Sequence, residues 1–338
     1  MTDVDDHLTD GVVSLAPYVE SDIEPHVSGE DDELLYWFGQ PEHSDTEGML
    51  EVLARWQRER EAGTRLTFAI HADGTTVGGA ELQPKGETAM LSWWLYAGHR
   101  GRGYATRAAR ILVDHAFTHL GVRRVEAQVD PRNVASQRVA TRSGLRREGL
   151  RRLEPGMTDR PDAPGMVFYA RLVSDPPISE PEGFRALLNS FLPRKRAISQ
   201  LLVRDRDGRV LICRLTYKRD WDLPGGVVEV GESPHLAAGR EIEEELALDI
   251  TAGPLLLTDW LPPWGGWDDA VCLVFDGGEQ DAEILSAVTL QTREIRHAEF
   301  ATMEQVRERC ADFTARRVEA ALRMLDGGGS TYTESGRA

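Results

Sequence analysis

Residues 226–248 of the chain have the sequence GVVEVGESPHLAAGREIEEELAL. Ser233 and Pro234 are typical of the N-cap and the first residue of a helix, so we expect a helix over about residues 234–246. This helix would carry three carboxylates on adjacent turns of one face, namely those of Glu241, Glu244 and Glu245. Carboxylates crowded on one face repel one another unless a cation neutralises them, and ligands that offer only oxygen suit Mg²⁺ or Mn²⁺.

The residues that precede this helix extend the pattern. The segment 221–226, WDLPGG, would end a strand, and its glycines would let backbone carbonyls approach the same ion. Arg240 and Glu232 would form a buried pair that fixes the orientation of the glutamates. A solvated helix that happens to be rich in glutamate is the simpler explanation of EIEEEL alone. The fixed offsets of Gly226, Glu232 and Arg240 argue against that coincidence.

The spacing resembles the Nudix box at every motif position except Ala247, where that box has glycine. The resemblance implies an α/β/α sandwich, dependence on Mg²⁺ or Mn²⁺, and cleavage of a nucleoside diphosphate linked to another moiety. It implies catalytic and metal-binding roles for Glu241, Glu244 and Glu245, a further metal contact at Gly226, and supporting catalytic roles for Arg240 and Glu232. Alanine at position 247 puts only the turn after the helix in doubt, because alanine resists a positive φ.

The length and charge of the chain set limits on its class. At 338 residues the chain suits two domains, each large enough to bury its own core. The formal net charge of −17 argues against general nucleic-acid binding. Residues 1–50 contain 14 Asp or Glu and no Lys or Arg, which most simply serves solubility but would also attract a cationic substrate.

The chain carries no recognisable export or membrane signal. No apolar run is long enough to cross a membrane, and the acidic N-terminus resembles no targeting peptide, so we expect a cytoplasmic protein. The three cysteines are too few and too scattered for a disulfide framework or a zinc site. We therefore expect reduced thiols in the core.

A shift in composition divides the chain into two domains, and the resemblances that their motifs carry imply an α/β (α+β) fold class. A proline-rich polar stretch at residues 174–182 indicates a linker between a first domain at 10–173 and a second at 183–325. The tail, residues 326–338, has little to bury and should be disordered.

Within the second domain the sequence predicts several elements. Residues 197–204 and 210–215 would form a hairpin around the turn at 205–208. A final helix would cover residues 301–325. The loop at 259–269 contains three tryptophans, which could stack on a nucleobase or cap the core.

A second glycine-rich loop lies in the N-terminal half. After an apolar strand at residues 90–95 the sequence reads AGHRGRGYAT over 97–106, and an apolar-periodic helix would run to about Leu120. Free backbone N–H groups and the helix dipole would both point at this loop, which predicts an anion site. Arg100 and Arg102 would add positive charge. A plain strand-to-helix connection is the alternative for the loop taken alone.

The pattern Arg100-x-x-Gly103-x-Ala105 resembles the acetyl-CoA pyrophosphate loop of the GNAT acetyltransferases. A strand at residues 125–129, then Asn133-x-x-Ser136 and a helix that closes in Gly-Leu, is similar to their ribosomal-protein N-terminal acetyltransferase subgroup. The resemblance implies a mixed sheet with flanking helices and direct acetyl transfer from acetyl-CoA to a primary amine. It implies that the pyrophosphate is held by the backbone amides of Arg100, Gly101, Arg102, Gly103, Tyr104 and Ala105.

The same resemblance implies further roles along the cofactor. A splayed strand near residues 93–95 would hold the pantetheine, and Asn133 would contact the cofactor arm. Ser136 is a candidate to protonate the departing thiolate, and an ordinary serine in a first helical turn is an equally good explanation. Many members have a tyrosine seven residues after the asparagine, but position 140 is alanine here.

Two questions about the chemistry stay open at the level of sequence. The acidic run at residues 30–33, EDDE, could bind an ammonium group, although a solvated face is simpler, and no general base is assigned. Glu294 lies where some Nudix members place an additional glutamate.

Together the two motifs predict a bifunctional enzyme. Its partners would be a nucleoside diphosphate derivative and a primary amine, either on a cationic metabolite or at a protein N-terminus, with no membrane partner. The alternative keeps both folds but makes the Nudix-like domain an inactive nucleotide sensor that regulates the acetyltransferase. The complete set of glutamates argues against this alternative.

Overall fold

The computed structural model describes residues 8–152 and 165–338 of the chain. They belong to two compact units, one up to Leu192 and one from Pro193 to Ala338. The second unit thus begins at Pro193 and not at residue 183 as the composition predicts. Part of the acidic N-terminus, residues 1–7, lies outside the described residues.

The first unit combines strands β1–β8 with helices α1–α6 in its described residues. In chain order they are β1 (Leu8–Thr9), β2 (Ser14–Pro17), α1 (Ile23–Gly29), α2 (Asp32–Phe38), α3 (Thr46–Glu61), β3 (Leu66–Ala72), β4 (Thr75–Lys85), β5 (Thr88–Leu95), α4 (Tyr104–His119), β6 (Arg124–Val129), α5 (Val134–Arg142), β7 (Arg146–Arg151), β8 (Met166–Leu172) and α6 (Pro181–Phe191). The strands form one mixed sheet in the order β1-β2-β3-β4-β5-β6-β8-β7. The mixed sheet with flanking helices confirms the predicted fold class.

Helix α4 covers one face of this sheet because its apolar residues recur at helical spacing. Ala108, Leu112 and Ala116 follow one another at intervals of four residues and are fully buried. They belong to the same core cluster as Phe68 on β3 and Tyr169 on β8. The small alanines let the helix approach the strands closely, which fixes where its first turn lies.

Strands β5 and β6 separate partway along their length. They run parallel and pair only where Thr88–Met90 faces Arg124–Glu126. Strand β5 continues to Leu95 in antiparallel pairing with β4. No further β5–β6 pair is formed in the described residues, so the two strands leave an opening between them beyond Met90. This agrees with the splayed strand expected near residues 93–95.

The predicted linker, residues 174–182, lies within the first unit, because helix α6, which begins at its end, packs against β7. Helix α6 starts with Pro181 in its first turn, a position that proline favours. Leu187 is buried, and the Ser190 hydroxyl accepts a hydrogen bond of 3.1 Å from the Arg147 backbone N–H on β7. The apolar face of this helix attaches residues 181–191 to the first unit, which explains why the boundary moves to Pro193.

The second unit combines strands β9–β16 with helices α7–α9. In chain order they are β9 (Arg196–Asp205), β10 (Val210–Leu215), β11 (Trp221–Asp222), β12 (Gly225–Val227), α7 (Pro234–Leu246), β13 (Leu255–Leu261), β14 (Ala270–Gln280), β15 (Ile295–Ala301), α8 (Met303–Arg309), α9 (Asp312–Leu325) and β16 (Tyr332–Glu334). The mixed sheet has the order β11-β10-β9-β14-β13-β16, with β12 paired to β9 and β15 to β10. One core cluster includes residues of α7 and another includes residues of α9.

The final helix is interrupted, contrary to the prediction of one helix over 301–325. Cys310 and Ala311 have extended backbone conformations between α8 and α9. Cys310 also forms a β-bridge with Trp221, which an uninterrupted helix would prevent. All three cysteines are buried and free, as expected for core thiols.

The tail after residue 326 is ordered, so the prediction of disorder was wrong. Strand β16 pairs in parallel with β13, with Tyr332 facing Thr258. The buried carboxylate of Asp259 accepts hydrogen bonds of 2.7 Å from the Thr333 hydroxyl and 2.8 Å from the Gly336 N–H. A charged acceptor buried in the sheet supplies the anchor that the glycine-rich composition does not suggest. In the described part of the chain, no helix is both long and apolar enough to span a membrane.

Candidate active sites

Helix α7 has the bounds that the sequence predicts, with Pro234 in its first turn and Leu246 at its end. The Ser233 side chain makes no capping hydrogen bond. Ala247 ends the helix in the left-handed region, at φ 56° and ψ 34°. The turn that glycine usually makes is therefore present, at a steric cost of about 1–2 kcal/mol for an alanine.

Arg240 joins the acidic side chains of this segment. Its Nε and Nη2 donate hydrogen bonds of 2.8 Å and 3.0 Å to the two carboxylate oxygens of Glu232. Nη2 also reaches Glu241 at 3.0 Å, and Nη1 reaches Glu244 at 2.9 Å. The guanidinium holds the pKa of Glu232 at about 2. The pair is partly exposed and not buried as predicted, with 27% of the Arg240 side chain accessible.

The other two motif glutamates differ strongly in their surroundings. Glu245 is buried, and desolvation raises its pKa to about 8 although the Gly225 N–H donates to it at 3.0 Å. Burial also raises the pKa of Glu241, and the negative charge of Glu294 raises the pKa of both. The charge of Glu294 therefore acts on both carboxylates. Glu244 is largely exposed at 59%.

The loop before α7 makes room for these carboxylates. A Cβ on Gly226 would lie 2.4 Å from the carboxyl carbon of Glu241, so only glycine fits without displacing that side chain. Gly225, at φ 138°, would place a Cβ 2.2 Å from the Ser199 carbonyl oxygen. The site therefore combines a glycine cradle with a buried carboxylate that is costly to ionise unless a cation stands near it.

The motif side chains are engaged with one another in this arrangement. Among the residues that the structure describes, no group of three or more His, Cys, Asp or Glu side chains is arranged so that it could hold a metal ion. Arg240 binds Glu232, Glu241 and Glu244 at once. The donor set still suits a hard divalent cation, since it consists of carboxylates beside a glycine backbone.

A cavity of ≈ 300 Å³ adjoins the motif loop and is lined by Gly225 and Gly226 on one side. Trp264, Trp267 and Phe313 also line it, and the two tryptophans are half exposed at 50% and 47%. Trp264 packs edge-on against Phe313 with ring centroids 5.4 Å apart. These rings border a cavity and do not cap the core, which favours the first of the two roles that the sequence left open.

A buried polar cluster forms one wall of the same cavity and has no signal in the sequence. Arg317 is 1% exposed and donates to Asp259 at 2.9 Å and to Gln200 at 2.8 Å. Gln200 in turn donates to Asp222 at 2.9 Å. These residues come from β9, β11, β13 and α9, so only the folded topology brings them together.

In the first unit, the loop before α4 exposes backbone N–H groups. Gly101 and Gly103 have φ values of 79° and 85°, which side chains rarely adopt. Gly103 is the N-cap of α4 and provides no side-chain cap, so the first-turn amides are left for another acceptor. The side chains of Tyr104 and Ala105 are buried in the core. The loop therefore offers its backbone to an anion, as the resemblance implies.

Arg100 does not add free positive charge to this loop, contrary to expectation. Its guanidinium binds both oxygens of Asp31 at 2.7 Å and reaches Glu33 at 2.8 Å. These hydrogen bonds lower the pKa of Asp31 and raise that of Arg100. Arg102 is exposed.

Most of the predicted cofactor residues, but not Arg102 and Tyr104, come together around one cavity of ≈ 350 Å³. It is lined by the loop, by β5 and by α5, including Arg100, Gly101, Gly103, Ala105, Trp93, Leu95, Asn133 and Ser136. Asn133 caps α5, because its Oδ1 accepts the Ser136 N–H at 2.9 Å. Asn133 therefore has a structural role in addition to any contact with a cofactor.

A further cavity of ≈ 420 Å³ shares Leu34, Phe38 and Trp94 with the cofactor cavity. Two buried carboxylates line it, those of Glu30 and Glu81. Of the acidic run at 30–33, only Glu30 lines this cavity, while Asp31 caps α2 and the side chain of Asp32 is 99% exposed. A solvated face therefore describes Asp32 but not Glu30.

Two family models match the chain. The model described as an acetyltransferase (GNAT) domain matches residues 13–146, and the model described as a NUDIX domain matches residues 193–322. Each match lies within one of the two compact units.

Two curated relatives agree with these matches, one for each unit. A probable N-acetyltransferase of Bacillus subtilis, YjcK, is 33% identical over 31% of this chain and 62% of its own length. An RNA pyrophosphohydrolase of Rhodospirillum rubrum is 36% identical over 23% of this chain and 44% of its own. The chain thus spans less than two thirds of either relative. Mycobacterium smegmatis RimJ, solved with CoA-disulfide, is 24% identical with a TM-score of 0.44, over 52% of this chain and 88% of that one.

Proposed function

Because the chain belongs to the GNAT acetyltransferase family in its first unit and to the Nudix family in its second, we propose that it is a bifunctional enzyme. The first unit would transfer an acetyl group from acetyl-CoA to a primary amine. The second would hydrolyse the pyrophosphate bond of a nucleoside diphosphate derivative. The observation that carries the second activity is the set of carboxylates joined by Arg240, and the cofactor cavity beside α4 carries the first.

In the second unit the motif residues would have different roles in hydrolysis. Glu241, Glu244 and Glu245, with the backbone of Gly226, would hold Mg²⁺ or Mn²⁺, which when bound would neutralise the carboxylates and stabilise charge on the phosphoryl oxygens. Glu244 is the most exposed of the three and is suited to accept the proton of an attacking water. Arg240 would orient its carboxylate partners.

The aromatic cavity beside the motif would bind the ring of the substrate. Trp264 and Trp267 present half-exposed faces, on which a planar group such as a nucleobase can stack. The guanidinium of Arg196 lies 4.8 Å above the Trp267 ring and adds positive charge near the diphosphate. A nucleoside diphosphate derivative offers both a flat ring and negative charge, so it matches this lining.

In the first unit the cofactor cavity would hold acetyl-CoA. The first-turn amides of α4 would bind its pyrophosphate, and the pantetheine would enter the opening between β5 and β6. Ser136 would donate a proton to the thiolate as it leaves. Asn133 would contact the cofactor arm and keep Ser136 in place through its cap of α5.

The acceptor amine would lie in the ≈ 420 Å³ cavity that shares a wall with the cofactor cavity. Its lining favours a cationic metabolite with an apolar part, because carboxylates and aromatic rings both attract an ammonium group. The Trp56 Nε1–H is buried there without a hydrogen-bond partner in the described residues, so it could donate to an oxygen of the ligand.

The direct test is a mass-spectrometric screen of the full chain with Mg²⁺ and acetyl-CoA. The amines would be spermidine, benzylamine and a peptide with a free N-terminal serine, and the phosphate substrates would be a panel of nucleoside diphosphate derivatives. We expect one acetylated amine and one cleaved pyrophosphate. Failure of acetyl-CoA to bind in isothermal titration would contradict the acetyltransferase, and the absence of any cleavage would contradict the hydrolase.

Two substitutions separate a hydrolase from a regulatory sensor. In a hydrolase, replacement of Glu244 and Glu245 by Gln removes metal-dependent phosphate release while some nucleotide binding remains. A sensor would release no phosphate before or after the change. Acetyl-CoA binding by the first unit is the internal control for an intact chain.

A further inference from the structure

We infer that Glu30 accepts the proton of the acceptor amine and that His26 positions its carboxylate through a hydrogen-bond chain that continues to Tyr96. The inference rests on the acetyl transfer proposed above and supplies the general base that no sequence motif identifies. Glu30 and His26 both line the acceptor cavity, and Trp94 is common to this cavity and the cofactor cavity. The base therefore lines the cavity that shares a wall with the cofactor cavity.

The carboxylate of Glu30 is held by three donors. His26 Nε2 lies 3.0 Å from Oε1, and the Ser44 hydroxyl donates to the same oxygen at 2.9 Å. The Ser44 backbone N–H donates to Oε2 at 2.7 Å. An ionised carboxylate offers roughly four lone-pair sites, so one site on Oε2 remains for the substrate. The side chain is 3% exposed, which keeps it fixed and shielded from bulk water.

The hydrogen bonds that His26 makes to Glu30 and Tyr96 determine which of its ring nitrogens carries the proton. Nδ1 of His26 lies 3.1 Å from the Tyr96 hydroxyl, which lies 3.0 Å from the Tyr18 hydroxyl. Burial lowers the pKa of His26, against the opposing effect of Glu30, so the ring is neutral at neutral pH. A neutral ring must donate from Nε2 to the Glu30 carboxylate, because two acceptors would repel each other there. Nδ1 then accepts from the Tyr96 O–H.

The proton balance of the step is complete. The acceptor binds as an ammonium, which has no lone pair, so an N–H bond first breaks and its proton moves to Oε2 of Glu30. The neutral nitrogen then forms its bond to the acetyl carbon, and the C–S bond of the thioester breaks with its electron pair on the sulfur. The nitrogen loses its second proton and the sulfur gains one through Ser136 or water. Glu30 also borders a second cavity of ≈ 390 Å³ with Ser28 and His99, where the proton can pass to water.

Other charged groups near Glu30 do not compete for this role. Nδ1 of His43 is 3.9 Å from Oε2, beyond hydrogen-bond distance, and Nε2 of His43 binds Asp32. Across the cavity, Arg65 is paired with Glu81 at 3.1 Å. The Glu81 carboxylate also accepts from the Thr67 hydroxyl and from Gln83. Arg55 is an exposed member of the lining.

The decisive experiment compares Glu30→Gln with Asp32→Asn in the full chain. Acetylation of spermidine and benzylamine at neutral pH should fall by about 100-fold or more in kcat for Glu30→Gln, with acetyl-CoA affinity unchanged. Asp32→Asn changes an exposed carboxylate of the same acidic run and should leave the rate within about twofold of the unmodified chain. The deficit of Glu30→Gln should shrink as the pH approaches the amine pKa of about 10, because bulk water then removes the proton.

The outcomes distinguish the inference from the proposed function. A deficit that stays constant with pH would mean that Glu30 is merely structural, and an unchanged rate would overturn its role as base. If none of the amines were acetylated by the unmodified chain, the acetyltransferase proposal itself would fail.

A second measurement needs no substrate. In ¹⁵N-histidine NMR of the full chain, assigned with His26→Gln, His26 should be neutral and protonated on Nε2. Tyr96→Phe should weaken that tautomer preference, because Nδ1 loses its donor. An Nδ1-protonated ring in the unmodified chain would overturn the positioning role of His26.

Discussion

Each of the two strand–loop–helix segments of this chain places one arginine among acidic side chains. The segments differ in how far along the sequence those acidic residues lie from the arginine. Before and along α7, every partner of Arg240 lies within residues 226–248. In the loop before α4, the acidic partners of Arg100 are Asp31 and Glu33, which lie 69 and 67 residues away in the sequence. A local network can be read from spacing, whereas a remote one depends on topology.

The segments also differ in what they would offer a ligand. The segment before and along α7 presents carboxylate side chains, and its glycines make room for them. The loop before α4 buries or engages most of its side chains and leaves its backbone amides uncapped. Substitutions of side chains should therefore damage the first site, and changes of backbone conformation should damage the second.

The largest effect that would sharpen this comparison is expected from Arg240→Gln. Because Glu232, Glu241 and Glu244 lose their common donor, pyrophosphate hydrolysis should fall by about 10–100-fold. The matched change Arg100→Gln should leave hydrolysis unaffected and weaken acetyl-CoA by less than about tenfold, since its charge is already neutralised by Asp31 and Glu33. Phosphate release and isothermal titration measure the two effects. The comparison would fail if Arg100→Gln lowered hydrolysis, or if it weakened acetyl-CoA binding as much as Arg240→Gln lowers hydrolysis.

A smaller effect, on acetyl-CoA affinity, is expected when the backbone conformation of the loop before α4 is disturbed. Gly103→Ala forces an alanine to φ 85°, which should cost about 1–2 kcal/mol and weaken acetyl-CoA about tenfold. Gly98→Ala is the control in the same loop, because a Cβ there meets nothing within 4 Å and its φ is not positive. Isothermal titration should show little change for the control. Equal losses in both variants would mean that side-chain bulk matters and not the backbone angle.

The same distinction explains how much of the structure could be predicted from the sequence. The bounds of α7 follow from local periodicity and capping and agree with the prediction. The strand before α4 ends at Leu95 as expected but begins at Thr88, two residues earlier than predicted. Arg100 was assigned to the wrong electrostatic role because its partners are remote. The tail was expected to be disordered because its composition is poor in apolar residues. Its anchor, the buried Asp259, could be identified only once β13 and β16 were known to be neighbours.

The buried polar cluster that lines the aromatic cavity of the second unit could not be predicted from the sequence for the same reason. Arg317 resembles any arginine of an amphipathic helix, yet it is buried against Gln200 and Asp259. Glu30 similarly looks like part of a solvated acidic run, and only the packing of α1 and the segment before α3 makes it a buried carboxylate. Local chemistry was predictable in both units, while buried polar contacts between distant segments were not.

The smallest effect concerns Ala247, the one departure from the Nudix box. Its left-handed conformation costs an alanine about 1–2 kcal/mol, and the extra freedom of glycine in the unfolded chain offsets part of the relief. Ala247→Gly should therefore raise the free energy of unfolding by about 0.5 kcal/mol in urea titrations of the full chain. Ala62 ends α3 in the right-handed region, so Ala62→Gly should lower that free energy by roughly 0.5–1 kcal/mol. If both substitutions changed stability in the same direction, the left-handed turn at 247 would not be strained, and alanine would be as good a helix end there as glycine.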